Sequence, residues 1–399
     1  MKRVISVFVF ILSLSTILFG GIQYNLEEFQ DNGLSSQFSL VDHGGKRYAR
    51  FGLSPNLAFG PLGVGVDLNL FMPTEGDAVP SDLSSVVLRR VSYDHQDQAG
   101  FTWGRLQKVN FGYGLLMDDY DSGSFGSTVF TNEKAGVLAY GTYQNVRVDG
   151  MMTASKVNGV RASYTLEESL IMGSPVVFGV NYVKDTDGIS DIYDGKSIQR
   201  EAQEGYGLDI GVPIAGDFLT VYTEYAKLTD QGQGMSAGFK GSLFGQFDYR
   251  AEYRTLGERF APGYYNGLYE ATSFDFSTDS IAEKTSGYLV SGGTSFMEDL
   301  MKAGLMYENY DNIDPIWTAA AGWKRMNNTA GVVNYKKVFG RAGLPGILTA
   351  DILYYTGQLL DYVIHYKRIY LSDGTFTESW AAGVQMNLDS FVPKLPFIQ

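Results

Sequence analysis

Residues 62–70 read LGVGVDLNL, in which the first residue and every second one after it is leucine or valine. The residues between them are glycine, aspartate or asparagine. Because successive side chains of a β-strand point to opposite faces, this pattern predicts a strand with one apolar and one polar face. A single strand of this kind also fits a soluble β-sandwich, so the fold class depends on whether the pattern recurs.

The alternation recurs along almost the whole chain. Clear examples are residues 146–152, 160–166, 176–182, 206–214, 235–241, 247–254, 301–308, 317–324, 360–367 and 380–389. Weaker candidates are residues 36–41, 46–53, 84–93, 100–106, 136–143, 218–228, 286–296, 330–338 and 346–355. The assignment of faces is ambiguous in 84–93 and 100–106. Aromatic residues end several apolar faces, where an interfacial girdle would lie: Tyr164, Tyr182, Tyr206, Tyr307, Trp317, Trp323, Tyr366 and Trp380.

These strands predict an all-β fold, a transmembrane antiparallel up-and-down β-barrel. A tilted strand of about 9–11 residues crosses a bilayer, and a sheet in lipid must close because every backbone polar group there needs a partner. The candidates number roughly 16 to 20, and bacterial barrels have even strand numbers, so we expect 16 or 18 strands. Long connections at 72–83, 107–134, 184–204 and 256–285 would be outer loops, with short periplasmic turns at the other end.

The composition and the N-terminus agree with export. The chain of 399 residues has no cysteine, which excludes a disulfide scaffold, and no apolar run of about 20 residues follows residue 21. Lys2 and Arg3 precede an apolar stretch that predicts a cleaved signal peptide, the alternative being an N-terminal membrane anchor. The predicted divisions are a signal peptide at 1–20, an N-terminal periplasmic segment at 21–35, the barrel at 36–391 and a C-terminal tail at 392–399.

The charged side chains on the polar faces are the main candidates for function. In a barrel of 16 or 18 strands they would line an aqueous lumen, where opposed charges set the ion preference. The alternative is that they only hydrate the wall or pair with each other. The predicted pore-lining residues are Asp67, Arg147, Asp149, Arg161, Asp209, Lys240, Asp248, Arg250, Glu252, Arg254, Lys302, Glu308, Lys324, Asp361 and Lys367.

The connection at 107–134 is a second candidate. It is rich in glycine and carries Asp118, Asp119 and Asp121. In placement and composition it resembles the inward-folded constriction loop of general porins, whose acids face a basic wall. An external solvated loop with the same composition is the alternative, and the sequence does not decide between them.

The sequence predicts neither a metal site nor an enzyme. Asp185, Asp187 and Asp191 lie in an acidic stretch that could hold Ca²⁺ loosely, but the EF-hand spacing is absent and a solvated outer loop fits better. The only histidines, His43, His95 and His365, form no metal or catalytic motif. We therefore expect no cofactor and no catalysis.

The whole mature chain resembles bacterial outer-membrane porins in its pattern. Residues 100–120, GFTWGRLQKVNFGYGLLMDDY, are also similar to strand-loop sequences of the Ompβ-type sheath porins of toga-bearing thermophiles. The resemblance implies a location in the outer membrane, contact with its lipid, and a homotrimer. The last clear strand, followed by Phe391 and a short tail, matches the C-terminal assembly signal of this class only in outline.

The sequence therefore predicts a porin, a passive diffusion channel for small hydrophilic solutes and ions. The formal net charge is −13, and removal of Lys2 and Arg3 would leave −15, which disfavours nucleic acid as a partner and weakly favours cations. One alternative is a structural or adhesive outer-membrane barrel with a plugged lumen. A further alternative is a soluble secreted β-sheet protein that binds carbohydrate.

Overall fold

The computed structural model contains 26 strands within the residues that it describes. Those residues are 35–43, 46–54, 56–74, 86–95, 98–123, 134–167, 173–193, 196–200, 202–270, 281, 283–297, 300–337, 346–357, 360–370 and 374–387. The predicted signal peptide, nearly all of the segment 21–35, and the tail 392–399 lie outside them. No helix among the described residues is long and apolar enough to span a membrane.

The strands follow one another along the chain with no helix between them in the described ranges. They are β1 (Ser35–His43), β2 (Lys46–Ser54), β3 (Asn56–Phe59), β4 (Leu62–Pro73), β5 (Val86–His95), β6 (Ala99–Gly104), β7 (Val109–Phe111), β8 (Met117–Tyr120), β9 (Gly136–Tyr143), β10 (Val146–Thr153), β11 (Val157–Leu166), β12 (Val176–Asp185), β13 (Ile189–Tyr193), β14 (Lys196–Arg200), β15 (Glu204–Asp217), β16 (Thr220–Leu228), β17 (Gln233–Leu243), β18 (Phe247–Leu256), β19 (Tyr265–Asn266), β20 (Thr285–Phe296), β21 (Met301–Tyr310), β22 (Ile313–Met326), β23 (Thr329–Lys337), β24 (Gly346–Tyr354), β25 (Leu360–Tyr370) and β26 (Phe376–Asn387).

The wall strands form a closed antiparallel ring in chain order. Each pairs with the next, and β26 pairs with β1 to close the ring, with Phe38 opposite Val384. β2 and β3 both pair with β4 and act as one wall strand. Five strands are outside the wall: β13 and β14 form a hairpin, and β7, β8 and β19 form a small separate sheet. The predicted closed up-and-down barrel is confirmed.

The predicted number of strands is wrong, because the described wall contains 20 strands and not 16 or 18. All nine weaker candidates of the sequence are wall strands. In three of them, β20, β23 and β24, the alternation is blurred because the inward side chains of Leu289, Val332 and Leu353 are apolar and buried. These inward side chains are not in contact with water, so the sequence does not alternate between an apolar outer residue and a polar inner residue there.

The wall is apolar on its outer face and polar on its inner face. Leu70 is 63% exposed, whereas its neighbour Asn69 is buried, and the same contrast holds for Val180 and Asn181. Large apolar side chains are exposed on consecutive strands of the wall, so they form one continuous apolar surface. A soluble protein does not expose an apolar surface of this extent to water. The soluble carbohydrate-binding alternative is therefore wrong.

The two ends of the barrel differ in their connections. β1 begins and β26 ends at the same end, and consecutive strands there are joined by nine residues or fewer. We call this the short-turn end; it includes the turn Gln144–Asn145. The opposite, long-loop end carries the connections β4–β5, β6–β9, β12–β15 and β18–β20. This layout agrees with the predicted alternation of short turns and long loops.

Candidate functional site

Residues 105–123, which we call the inner segment, lie inside the barrel. Phe111 packs against Gly159 of β11, and the ring of Tyr113 stacks on Tyr222 of β16 with centroids 4.0 Å apart. The Tyr113 hydroxyl occupies the place that a Cβ would take on Gly211 of β15. Since these positions lie on the inner face of the wall, the alternative of an external solvated loop is wrong for this segment.

The inner segment holds its shape through a short hairpin and two glycines. β7 pairs with β8, and the Asn110 side chain accepts a hydrogen bond from the backbone N–H of Asp119 at 2.8 Å. Gly112 and Gly114 in the connecting turn have φ angles of 70° and 91°, which favour glycine. This turn carries Tyr113 to β15 and β16, which β9–β12 separate from β6 in the wall.

A second stretch, residues 257–270, packs on the inner segment. β19 within it pairs with β8 in parallel. Apolar side chains of both stretches are fully buried together with others from the inner wall, and this inner cluster is Leu106, Val109, Phe111, Leu115, Leu116, Met117, Tyr120, Met151, Val157, Val183, Ala226, Leu228, Leu256, Phe260, Tyr264, Tyr265, Tyr269, Tyr310 and Ile316. The inner cluster explains why so many inner wall positions are apolar.

Two charged side chains of the wall form hydrogen bonds with the backbone of the inner segment. One carboxylate oxygen of Glu224 accepts hydrogen bonds from the N–H groups of Tyr113, at 3.1 Å, and Leu115, at 2.9 Å. Arg250 donates to the Tyr113 carbonyl and lies 3.7 Å from the Asp118 carboxylate. The turn is therefore held both at its N–H donors, by Glu224, and at its carbonyl acceptor, by Arg250.

Arg250 also begins a chain of ion pairs along β18 and β21. It pairs with Glu252, whose other oxygen accepts from Arg254 at 2.6 Å. Arg254 reaches across to Glu308 at 2.9 Å, and only 2% of its side chain is exposed. Four of the predicted pore-lining residues are thus brought together, but they lie beneath the inner segment and neutralise one another. Their role as pore-lining groups stays a prediction.

Other predicted residues pair locally on the inner wall. Arg147 and Asp149 are joined at 2.8 Å, and Arg161 and Asp209 at 2.7 Å. Lys240 lies 4.8 Å from the centre of the Tyr113 ring, a cation–π geometry. These contacts fit the alternative in which wall charges pair with each other.

The remaining predicted residues differ in their access to solvent. Asp67 is buried near Arg50, Lys367 is also buried, and Asp361 accepts a hydrogen bond from the backbone of Thr356. Asp248 is exposed, and Lys302 and Lys324 are partly exposed at the short-turn end of β21 and β22. Within the described part of the chain, neither of these two lysines has an ion-pair partner.

The three acids predicted for the constriction have three different environments. Asp118 is partly exposed and faces Arg250. Asp121 is buried and forms a bidentate pair with Arg105, at 3.0 and 2.7 Å. Asp119 is buried and one of its oxygens has no hydrogen-bond partner in the described residues, so burial raises the pKa of Asp119 to about 6. Only Asp118 combines partial exposure with a basic wall residue.

The acidic stretch considered for Ca²⁺ does not assemble its carboxylates. Asp185 is buried, and it accepts hydrogen bonds from the N–H groups of Asp187 and Gly188 and from the Tyr269 hydroxyl. Asp187 is exposed, and the side chain of Asp191 lies outside the described residues. Within the described ranges, no group of three or more His, Asp or Glu side chains is arranged to hold a metal ion.

The sequence gives little sign of the residues that hold the inner segment. Glu224 and Tyr222 belong to the weak candidate strand 218–228. Both faces of this strand carry a tyrosine, since Tyr225 lies on the opposite face, so neither face is clearly polar. A buried network was also missed: His365 contacts Asp351 at 2.8 Å and Gln37 at 3.0 Å, and Gln37 accepts from Arg50. Only His365, an isolated titratable group in a clear strand, could have drawn attention.

Comparisons with known proteins give only distant similarities. No protein-family profile matches the chain, and no curated protein matches it. Among solved structures, OccAB3 of Acinetobacter baumannii is 12% identical with a TM-score of 0.33, covering 88% of this chain and 97% of the other. OpdQ of Pseudomonas aeruginosa is 11% identical with a TM-score of 0.37, covering 88% and 95%. The ferric-catecholate import receptor Fiu of E. coli K12 is 10% identical with a TM-score of 0.45, covering 92% and 82%.

Proposed function

We propose that this protein is an outer-membrane porin, a passive diffusion channel for small hydrophilic solutes and ions. The observation that carries the proposal is the closed barrel with an apolar outer face and a charged inner face. Barrels of about 16–18 strands leave an aqueous channel and those of about 22 strands hold a plug, so 20 strands leave room for both a passage and the inner segment. The inner segment would narrow the passage as a constriction, and no chemistry is involved.

The proposed topology has the long loops outside the cell and the short turns in the periplasm. Single-chain bacterial barrels share this arrangement. The predicted signal peptide would deliver the chain to the envelope, and outer-membrane lipid would cover the apolar face. The homotrimer that the resemblance implies stays a prediction.

The partly exposed lysines on β21–β23 support a preference for anions. Lys302, Lys324 and Lys336 are partly exposed, whereas Glu308 is neutralised by Arg254. Net charge alone would favour cations, but loop carboxylates far from a passage are screened within about one Debye length, roughly 8–10 Å. The charges that face a solute therefore count for more than the total.

Selectivity measurements on matched variants test the channel. Lys324 lies near the end of β22, whereas Arg368 lies on the outer face of β25 with the exposed Tyr362 and Ile364 and pairs with Glu378 at 2.9 Å. In planar bilayers with asymmetric KCl, we expect Lys324→Gln to move the reversal potential toward the cation side, and Lys302→Gln/Lys324→Gln to move it further. Arg368→Gln should leave it unchanged, because Arg368 lies on the outer face. Equal reversal potentials in all variants would contradict a lumen lined by these lysines.

A plugged structural barrel is the second candidate, and the inner cluster favours it. Nineteen buried residues bridge the inner segment, residues 257–270 and the wall, as a plug would. The two candidates differ in one property. A plugged barrel would give no conductance steps in a planar bilayer, whereas a porin would give steady ohmic steps.

A further inference from the structure

Three neighbouring hairpins at the short-turn end expose large apolar side chains at their turns. Phe244, between β17 and β18, is 96% exposed, and Met297, after β20, is 65% exposed. Phe218, Phe296 and Leu300 at the adjacent turns are also exposed. β15 to β21 are consecutive in the wall, so these side chains lie along one arc of the rim.

The backbone does not require apolar residues at these positions. Phe244 and Met297 have φ angles of 58° and 54°, in the left-handed region where Gly, Asn and Asp are favoured. The turn between β9 and β10 has the same conformation at Gln144, with φ of 51°, and the turn between β22 and β23 uses Asn327 and Asn328. The conformation of the backbone therefore does not explain why these turns carry bulky apolar residues.

The apolar turns are continuous with the outer face of the wall. The Tyr249 hydroxyl donates a hydrogen bond to the Phe218 carbonyl, and its ring meets Phe239 edge-on at 6.2 Å. On β18 the outward apolar residues run only from Phe247 to Tyr253, about 15 Å of height, whereas the apolar band of such barrels is about 25 Å tall. Phe244 extends the apolar surface beyond the end of the strand.

We propose that the turn tips at Phe218, Phe244 and Met297 are membrane anchors that insert into the lipid interface at the short-turn end of this arc. This inference rests on the proposed membrane location and deepens it, since it names the part of the rim that lies in lipid. Aromatic and apolar side chains at the interface are stabilised because their rings lie among lipid headgroups and chains. The polar turns at Gln144 and Asn327 would remain in water.

A depth measurement on single-cysteine variants tests the anchor, and the cysteine-free chain makes it direct. We would label Gln246→Cys, beside Phe244, and Asn145→Cys, at the matched polar turn, with an environment-sensitive fluorophore in vesicles. Spin-labelled lipid should quench the label at position 246 about threefold or more strongly than at 145, and aqueous iodide should show the reverse order. Adding Phe244→Asn to the first variant should move its quenching toward that of the second.

Two outcomes would overturn the anchor. Equal access of iodide to both labels would place the arc in water. Protection of position 246 from both quenchers would mean that protein covers it, for instance a second copy of the chain. The conductance of the same labelled variants in planar bilayers distinguishes a failure of the anchor from a failure of the proposed channel. Variants that conduct ions but whose label at position 246 is quenched by aqueous iodide would contradict only the anchor.

Discussion

Asp119 shows how the inside of the barrel alters a single side chain. Its carboxyl is buried within the inner segment, with Lys336 and Lys108 as the favourable charges near it. Desolvation outweighs those charges and raises the pKa of Asp119 from 3.8 to about 6. Asp119 therefore binds its proton more tightly in the folded segment than in the unfolded chain.

This shift predicts that the inner segment packs more stably in acid. A carboxyl whose pKa is raised by folding stabilises the fold when protonated, and that stability is lost as the pH rises from about 4 to about 6. Hydrogen exchange of residues 105–123, corrected for intrinsic rates, should be slower at about pH 4.5 than at about pH 7.5. Asp119→Asn should abolish the difference, whereas Asp118→Asn should keep it. An unchanged difference in the first variant would contradict the assignment.

Arg250 marks the limit of what alternation reveals about a residue. The period of two correctly predicts that Arg250, Glu252 and Arg254 share a face. It does not reveal that the Tyr113 carbonyl and Asp118 occupy that face. An inner face in contact with water and an inner face in contact with the backbone of another segment both favour polar side chains. The sequence therefore cannot distinguish an arginine that lines a pore from one that binds a loop.

At the scale of single elements, inward glycines form the contact surface for the inner segment. A Cβ on Gly159 of β11 would meet the Phe111 ring, and one on Gly205 of β15 would meet Leu116. At Gly211 the Tyr113 hydroxyl fills the space. Because glycine has no side chain, the inner faces of these glycine-rich strands allow another segment of the chain to pack directly against them.

Gly211→Val should displace the turn that carries Tyr113. Overpacking of this kind costs about 1–3 kcal/mol, and the φ of Gly211 is compatible with valine, so the barrel itself should assemble. Gly141 on β9 is the matched control, because nothing lies within 4 Å of an added Cβ there. We expect greater open-channel current noise for Gly211→Val and native noise for Gly141→Val. Equal noise in both variants would contradict a docked turn.

The strands could be predicted from sequence more reliably than their number. In 62–70 one face meets lipid and the other is polar, so the alternation is clean. In β20, β23 and β24 inward apolar side chains are buried, and Leu289 and Val332 stand where a polar residue was expected. Because tertiary contacts and not solvent set the pattern there, these strands are weak candidates, and the expectation of 16 or 18 strands left two to four true wall strands out of the count.

At the scale of the whole molecule, composition reflects the partition between lipid and lumen. A mean hydropathy of −0.09 is the average of an apolar outer face and a polar inner face. The lack of apolar runs of about 20 residues after residue 21 excludes helical membrane proteins, and the period of two then selects the barrel. Composition carries no information on whether residues 105–123 lie inside, because three aspartates among glycines suit both a solvated loop and a buried turn.

The central claim is an aqueous lumen narrowed by the inner segment. Single-channel conductance tests it most directly, with the native chain compared with a variant in which residues 110–119 are replaced by a short Gly-Ser linker. Shortening the β13–β14 hairpin (Ile189–Arg200), which pairs only with itself among the described strands, is the control. We expect ohmic steps from the native protein, larger steps when the inner segment is replaced, and native steps from the control. Absence of steps from the native protein, or equal steps from all three, would contradict the account.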